Sequence, residues 1–334
     1  MGAKAVKPSF TGVSFQGNRE LLYRVNLWSR TIFRVLMPIA TLKATNPEQL
    51  YSQTQTLDWS KYLSPHQTLA VNCTGGNRLL NHTHFTALQI KNAIVDWQTS
   101  QYGQRSHINT RNPDILVNAH IYQNQCTLSL DSSGSSLHRR GYRPAVGLAP
   151  IKETLAAAIL QIINWQPNIP LFDPLCGSGT ILIEAALKGL NIPPGLYRQK
   201  FALENWLDFD PHLWQKLQTE AKNQQKFHLD VPIVGSDRNQ KIIIQAKHNL
   251  ALCGLEDAIN FRVEEFANIQ PPCATGIIFC NPPYGKRIGQ EPELIAFYQS
   301  LGDIFKQRFK GWTAYILTGN RELAKKVGLK ASQR

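Results

Sequence analysis

The sequence has no apolar stretch approaching the ~18 to 20 residues that a membrane-spanning helix requires. Its longest candidate, residues 154–163, is stopped by Glu153 on one side and by Trp165 and Gln166 on the other. This predicts a chain without transmembrane helices. A signal segment is missing too: residues 1–6 hold no long apolar core, and Val6 stands where a myristoylation signal needs Ser or Thr, so a cytoplasmic protein is expected. The six cysteines, Cys73, Cys126, Cys176, Cys253, Cys273 and Cys280, include no C-x-x-C pair and no Cys/His quartet of zinc-ligand spacing. Buried reduced thiols and no metal are therefore expected. Acidic residues are scarce, 23 against 36 Lys and Arg, for a net charge of +13. At 43% hydrophobic and 18% charged over 334 residues, the composition excludes a disordered, collagenous or coiled-coil chain, and the length suggests about two domains.

The charge is unevenly shared. Residues 1–150 hold 15 Lys and Arg against 6 Asp and Glu, whereas residues 151–334 hold 21 against 17. A basic first half is the electrostatic footprint of a surface for a polyanion, since each neutralised phosphate releases counterions; a solvated basic face without nucleic acid is the competing reading. This half reads as mixed α+β. Strands are predicted at 10–15, 70–73, 115–122 and 126–131, the last two joined as a hairpin through Gln123-Asn124-Gln125, with a helix at 83–97 behind the cap candidates Asn81 and Thr83. A Ser/Gly run at 132–136 ends that pattern, and a basic segment from Leu137 to Pro144 leads to a boundary placed near Pro150.

The second half changes rhythm. Predicted strands at 169–173, 231–236, 259–263, 276–280 and 312–317 alternate with helices at 180–188, 211–224, 240–253 and 293–309, which argues for a parallel sheet covered by helices. Between the first strand and helix lies Asp173-Pro174-Leu175-Cys176-Gly177-Ser178-Gly179-Thr180. Two glycines one residue apart let backbone approach a ligand, and the helix start offers free N–H groups. A dinucleotide fingerprint would need a third glycine where Leu182 stands, and a phosphate-binding loop would need Gly-Lys-Ser/Thr, so both readings lose their support.

The second strand ends at Asp237-Arg238-Asn239. In an open α/β sheet ligands lie outside the carboxyl ends of the strands, so Asp173 and Asp237 would converge on one small molecule, with Asp237 suited to both hydroxyls of a ribose. An Asp capping the helix that starts near Asn239 is the alternative. After the third strand, Glu265 and the backbone of Phe266 are placed to hold an adenine edge. The fourth strand runs into Asn281-Pro282-Pro283-Tyr284. Consecutive prolines fix an extended backbone, so the Asn281 and main-chain carbonyls have set directions, while Tyr284 presents a flat face. Two acceptors of that kind suit a planar exocyclic amine: they bind its N–H groups, draw its lone pair out of ring conjugation and aim it at an electrophile.

These motifs, together with 137–143, 149–158 and the stretch from Gly302-Asp303 to Lys310-Gly311-Trp312, resemble the THUMP-domain RNA guanine-N2 methyltransferases of the class I S-adenosylmethionine-dependent fold, and within them the bacterial 23S rRNA enzymes. The resemblance covers nearly the whole chain. It implies an α/β, Rossmann-like class I methyltransferase domain at 151–334 behind an N-terminal α+β RNA-binding module, with a partial ferredoxin-like segment at 1–50 and a THUMP domain at 51–150. It also implies that both ends are trimmed relative to the family, with a terminal hairpin absent. The 189–230 insertion is family-like and explains why Asp237 follows Gly179 by 58 residues rather than the ~20 of a dinucleotide fold.

By resemblance, S-adenosylmethionine would be held by Asp173, Pro174, Cys176, Gly177, Ser178, Gly179, Thr180, Asp237, Arg238, Glu265 and Phe266, with Lys152, Glu153 and Thr154 nearby. Asn281, Pro282, Pro283 and Tyr284 would act on a flipped-out guanine. Arg139, Arg140, Tyr142, Arg143 and Arg287 would meet RNA, with Tyr142 equally readable as an interdomain hinge packed on the catalytic domain. The expected partner is 23S rRNA or a large-subunit precursor, with no membrane. Two alternatives stay open: a tRNA guanine-N2 methyltransferase and a non-catalytic RNA-binding assembly factor.

Overall fold

A computed structural model describes residues 2–9, 11–143, 151–284 and 291–332. The chain packs as two compact units, one formed by residues 1–139 and 198–219 and the other by 140–197 and 220–334.

The first unit opens with a hairpin of β1 (Lys4–Pro8) and β2 (Val13–Gln16), followed by α1 (Arg19–Trp28), β3 (Leu36–Lys43), α2 (Pro47–Gln55), β4 (Leu69–Gly76), α3 (Thr83–Tyr102), β5 (Ile115–Tyr122) and β6 (Gln125–Asp131). β3, β6, β5 and β4 form one sheet in that order, in which only the β4/β5 pair is parallel. The helices start where side chains accept free N–H groups: Asn18 from Leu21, Asn46 from Gln49, and His82 through Nδ1 from Phe85. α3 stops at Gly103, whose φ of +66° places it in the left-handed region. The predicted 115–122 strand and the β5/β6 hairpin are observed, and the turn is made at Gln123 with φ of +53°. β1, α1, β3 and α2 carry short or Pro-interrupted patterns that gave no sequence signal.

Residues 198–219, sequentially inside the predicted catalytic domain, belong to this first unit. The Arg198 guanidinium donates to the carbonyls of Ser133, Ser135, Ser136 and Arg139 at 2.8–3.2 Å, and the Leu203 N–H donates to the Ser132 carbonyl. An aromatic cluster of the buried Tyr23, Trp214 and Phe201 with the half-buried Phe209 completes the attachment.

The second unit contains α4 (Glu153–Ile162), β7 (Leu171–Asp173), α5 (Thr180–Gly189), β8 (Ile233–Asp237), α7 (Gln240–Ala251), β9 (Asn260–Val263), β10 (Gly276–Cys280), α8 (Glu291–Arg308), β11 (Trp312–Ile316) and α9 (Arg321–Lys326); α6 (Pro211–Asn223) straddles the two units. Among the described residues its five strands are all parallel, ordered β11-β10-β7-β8-β9. Strand alternation divides the core. Leu171, Ile233, Ile277 and Phe279 join the cluster of α4, α5 and α7, whereas Phe172, Val234, Ile278 and Cys280 join that of α8 and α9. Both faces of the sheet are covered at its centre, which is why β7, β8 and β10 read as nearly continuous apolar runs. The order reverses between β7 and β10, and a ligand crevice is expected at their carboxyl ends.

Candidate active site

The residues that line the strand ends described below belong to the second unit. β7 ends at Asp173, which is buried and accepts at Oδ1 from the Leu175 N–H at 3.0 Å. Burial, reinforced by the charge of Asp237, pushes its carboxyl up to about 7. The chain then turns through the glycine loop, tied by Cys176 N–H to the Ser236 carbonyl and by Gly179 N–H to the Cys176 carbonyl, each 2.9 Å. The two glycines do different things. Gly179, φ +80°, starts α5 where a methyl group would lie 2.7 Å from Phe261 Cζ, so this glycine allows helix and strand to pack. Gly177, φ +53°, faces open space with nothing within 4 Å of a methyl placed there.

Asp237 ends β8 and accepts from the Asn239 N–H at 2.9 Å, while Asn239 itself caps α7 by accepting from Lys241. The capping role therefore falls to Asn239, and the second Asp237 oxygen has no partner among the described residues. Arg238 is exposed, as is Glu265, whereas the Phe266 ring is buried against Phe297 and Phe305 and leaves only its main chain for a ligand. At the start of α4, Lys152 is exposed while Glu153 and Thr154 are buried; Thr154 Oγ1 and Glu153 Oε2 have no partner among the described residues. Open space at Gly177, strand-end carboxylates and buried unpartnered oxygens form an acceptor-rich set that fits a cationic nucleoside such as S-adenosylmethionine.

β10 delivers Asn281-Pro282-Pro283-Tyr284 beside this loop. Asn281 Oδ1 is buried with no hydrogen-bond partner among the described residues, Pro282 is buried, Pro283 is half-buried and Tyr284 is 42% exposed. The Cys280 thiol, whose titration feels Asp173, is held protonated by burial, as is that of Cys176, so neither supplies a thiolate.

The RNA-facing reading of Arg140, Tyr142 and Arg143 is overturned. Arg140 and Tyr142 are 2% and 1% exposed and share Glu184 Oε1, at 3.3 Å and 3.1 Å. Arg143 pairs with Glu153 at 3.1 Å and donates to Thr180 Oγ1 and the Ile151 carbonyl. Buried guanidinium groups require carboxylate partners, and α5 and α4 supply them. Arg139 is exposed; Arg287 lies outside the described residues, as do 144–150. Sequence reading also missed Asn249, buried on the apolar face of α7, whose Nδ2 donates to the Ser178 carbonyl at 3.1 Å. A lone polar residue one position from Leu250 on that face was the available signal. Among the described residues no metal-holding cluster is present and no helix is long and apolar enough to cross a membrane.

A five-stranded parallel sheet with a glycine loop and an acid at the end of the adjacent strand is the Rossmann-like class I methyltransferase fold, whose cofactor is S-adenosylmethionine. Residues 140–334 match the RMKL-like methyltransferase domain, residues 44–131 the THUMP domain and residues 1–36 the RlmL ferredoxin-like domain. The chain belongs to the RMKL-like methyltransferase family. A proposed RNA methyltransferase of Synechocystis is 55% identical over 334 residues, all of this chain and 87% of that protein. The ribosomal RNA large subunit methyltransferase K/L of Syntrophotalea carbinolica is 42% identical over 99% of this chain but 48% of its own length, so the chain spans about half of the K/L relatives it matches. The crystal structure of SMU.472, described as a methyltransferase and complexed with SAH, has 31% identity and a TM-score of 0.88 over 98% of this chain and 86% of that one. A Listeria monocytogenes structure, described as an N6-adenine-specific DNA methylase by prediction, has 33% identity and a TM-score of 0.87 over the same shares.

Proposed function

We propose that the protein methylates the exocyclic N2 amine of a guanine in 23S rRNA. The observation that carries this reading is the buried Asn281 Oδ1, which has no hydrogen-bond partner among the described residues. A buried carbonyl oxygen without a donor is costly, by about 1 to 3 kcal/mol, unless a ligand N–H satisfies it. A planar amine does so. Asn281 and the Pro282 carbonyl would accept its two N–H groups and free its lone pair, and Tyr284 would stack on the flipped base. Bound S-adenosylmethionine supplies the methyl group from a sulfonium: the amine nitrogen forms the new bond to carbon while the breaking C–S pair stays on sulfur. The positively charged nitrogen then loses a proton to water, so no strong base is required.

The polymer assignment is supported by the THUMP match, by the basic first half, and by K/L relatives at about 40% identity that are named for large-subunit rRNA. On this reading the ferredoxin-like and THUMP segments, matched at 1–36 and 44–131, capture RNA, and the second unit, residues 140–197 and 220–334, carries the chemistry. Intact Asp173, Gly177, Gly179 and Asn281 argue against a non-catalytic factor.

The test is to incubate the protein with radiolabelled S-adenosylmethionine and, separately, protein-free 23S rRNA, tRNA and DNA, and to digest labelled product to nucleosides. N2-methylguanosine from rRNA, lost in Asn281→Ala while cofactor binding persists, is the expected result. Label in tRNA alone overturns the substrate, label in DNA adenine overturns the base and polymer, and no label from any polymer overturns the reading.

A further inference from the structure

The stretch Leu317-Thr318-Gly319-Asn320, which follows β11, lies beside Asn281-Pro282-Pro283-Tyr284 and has entered no part of the site so far. The Leu317 N–H donates to the Cys280 carbonyl at 2.9 Å, which ties the end of β11 to the residue before Asn281. Thr318 Oγ1 accepts from the hydroxyl of the fully buried Tyr298 at 3.0 Å and from the Asn320 N–H at 3.2 Å. Asn320 in turn caps α9 through the N–H groups of Glu322 and Leu323. The loop is thus fixed to β10, α8 and α9 at once. At its tip, a methyl group on Gly319 would lie 2.9 Å from Tyr284 Cε2 and 3.1 Å from Cδ2. Carbon atoms in contact rest at about 3.5 to 4.0 Å. Gly319 has no positive φ, so alanine suits its backbone, and the half-exposed ring of Tyr284 is free to yield.

We infer that Gly319 is a positioning residue: the missing side chain leaves the seat in which the Tyr284 ring lies, and the anchored loop sets the plane on which the target base stacks. This rests on the reading of Tyr284 as the base platform. A ring pushed aside by about half an ångström misaligns the amine, and misplacements of ~1 Å lower transfer rates by about 100-fold. Gly319→Ala is therefore expected to lower kcat roughly tenfold with the dissociation constant for S-adenosylmethionine unchanged.

The experiment is a double-mutant cycle with Tyr284→Ala on labelled rRNA, paired with fluorine NMR of 3-fluorotyrosine-labelled protein. Gly319→Ala should have no further effect in the Tyr284→Ala background. The fluorine resonance that disappears in Tyr284→Phe should move in Gly319→Ala. Wild-type activity in the alanine variant, an equal loss with and without the Tyr284 ring, or an unmoved resonance overturns the inference. A wild-type protein that labels no polymer overturns instead the functional reading, and the resonance still decides whether Gly319 seats the ring.

Discussion

Replacing Asp173 by Asn should strengthen the ligand-free fold and weaken cofactor binding. Burial raises the Asp173 carboxyl from 3.8 to about 7. Below pH 3.8 both the folded and unfolded chains carry the proton, and no charge is buried on folding. Between 3.8 and about 7 the unfolded chain has released the proton while the folded one keeps it, so stability falls as pH rises; above about 7 the full penalty is present. A shift of about three units corresponds to roughly 4 kcal/mol. Asn keeps the acceptor for the Leu175 N–H but adds an amide that needs its own partners, at about 1 to 3 kcal/mol. The net gain for Asp173→Asn at pH 8 is therefore expected to be roughly 2 kcal/mol, shrinking to nothing or reversing near pH 4. Urea denaturation from pH 4 to 8.5 measures it. S-adenosylmethionine carries sulfonium and ammonium charges that favour the ionised carboxylate, so wild-type affinity should fall by up to tenfold per unit as pH drops below about 7. In Asp173→Asn it should be weaker at pH 8 and flat with pH. Calorimetric titration showing pH-independent wild-type affinity between 8 and 5.5, or a variant less stable than wild type at pH 8, refutes the reasoning.

The two loop glycines should separate: Gly179→Ala, with its methyl 2.7 Å from Phe261, should destabilise the fold by several kcal/mol, read as a lowered urea midpoint. Gly177→Ala should cost only ~1 kcal/mol of backbone strain yet abolish measurable cofactor binding, because its methyl fills the open space over the loop. Arg140→Met should destabilise by about 3 to 5 kcal/mol by removing a buried cation that pairs with Glu184, while Arg139→Ala leaves stability within ~0.5 kcal/mol. Filter binding should show the salt slope for RNA reduced by about one in Arg139→Ala and unchanged in Tyr142→Phe, which instead loses about 1 kcal/mol of stability with its bond to Glu184.

The catalytic sheet was legible because β7, β8 and β10 are apolar on both faces and strands and helices alternate along most of this half, which favours a parallel, doubly covered arrangement. The acids and Asn281 at strand ends were legible for the same reason, since the topology places all carboxyl ends on one edge. The first unit was less so. β3 contains Pro38 and pairs only at its edge of the sheet, and α1 and α2 are short helices held by caps and packing. Arg140, Tyr142 and Arg143 misled for a definite reason: a basic run with one aromatic has the same local pattern whether it faces phosphate or an internal carboxylate. Glu184, on α5, lies more than 40 residues from Arg140 and Tyr142 in sequence, and only folding brings it under them; Arg143 pairs instead with Glu153 at the start of α4.

Sequence alone determined the parallel sheet, the glycine turn, the extended Asn-Pro-Pro segment and the excess of positive charge. These follow from side-chain period, backbone sterics and composition, all of them local. Tertiary structure decided which of two glycines faces open space and which packs on Phe261, and that Asn281 Oδ1 is buried without a donor among the described residues. It also decided that Gly319 lies against Tyr284, and that residues 198–219 pack with the first unit. Each is a contact between segments distant in the chain, fixed by burial and pairing that no short window of sequence contains.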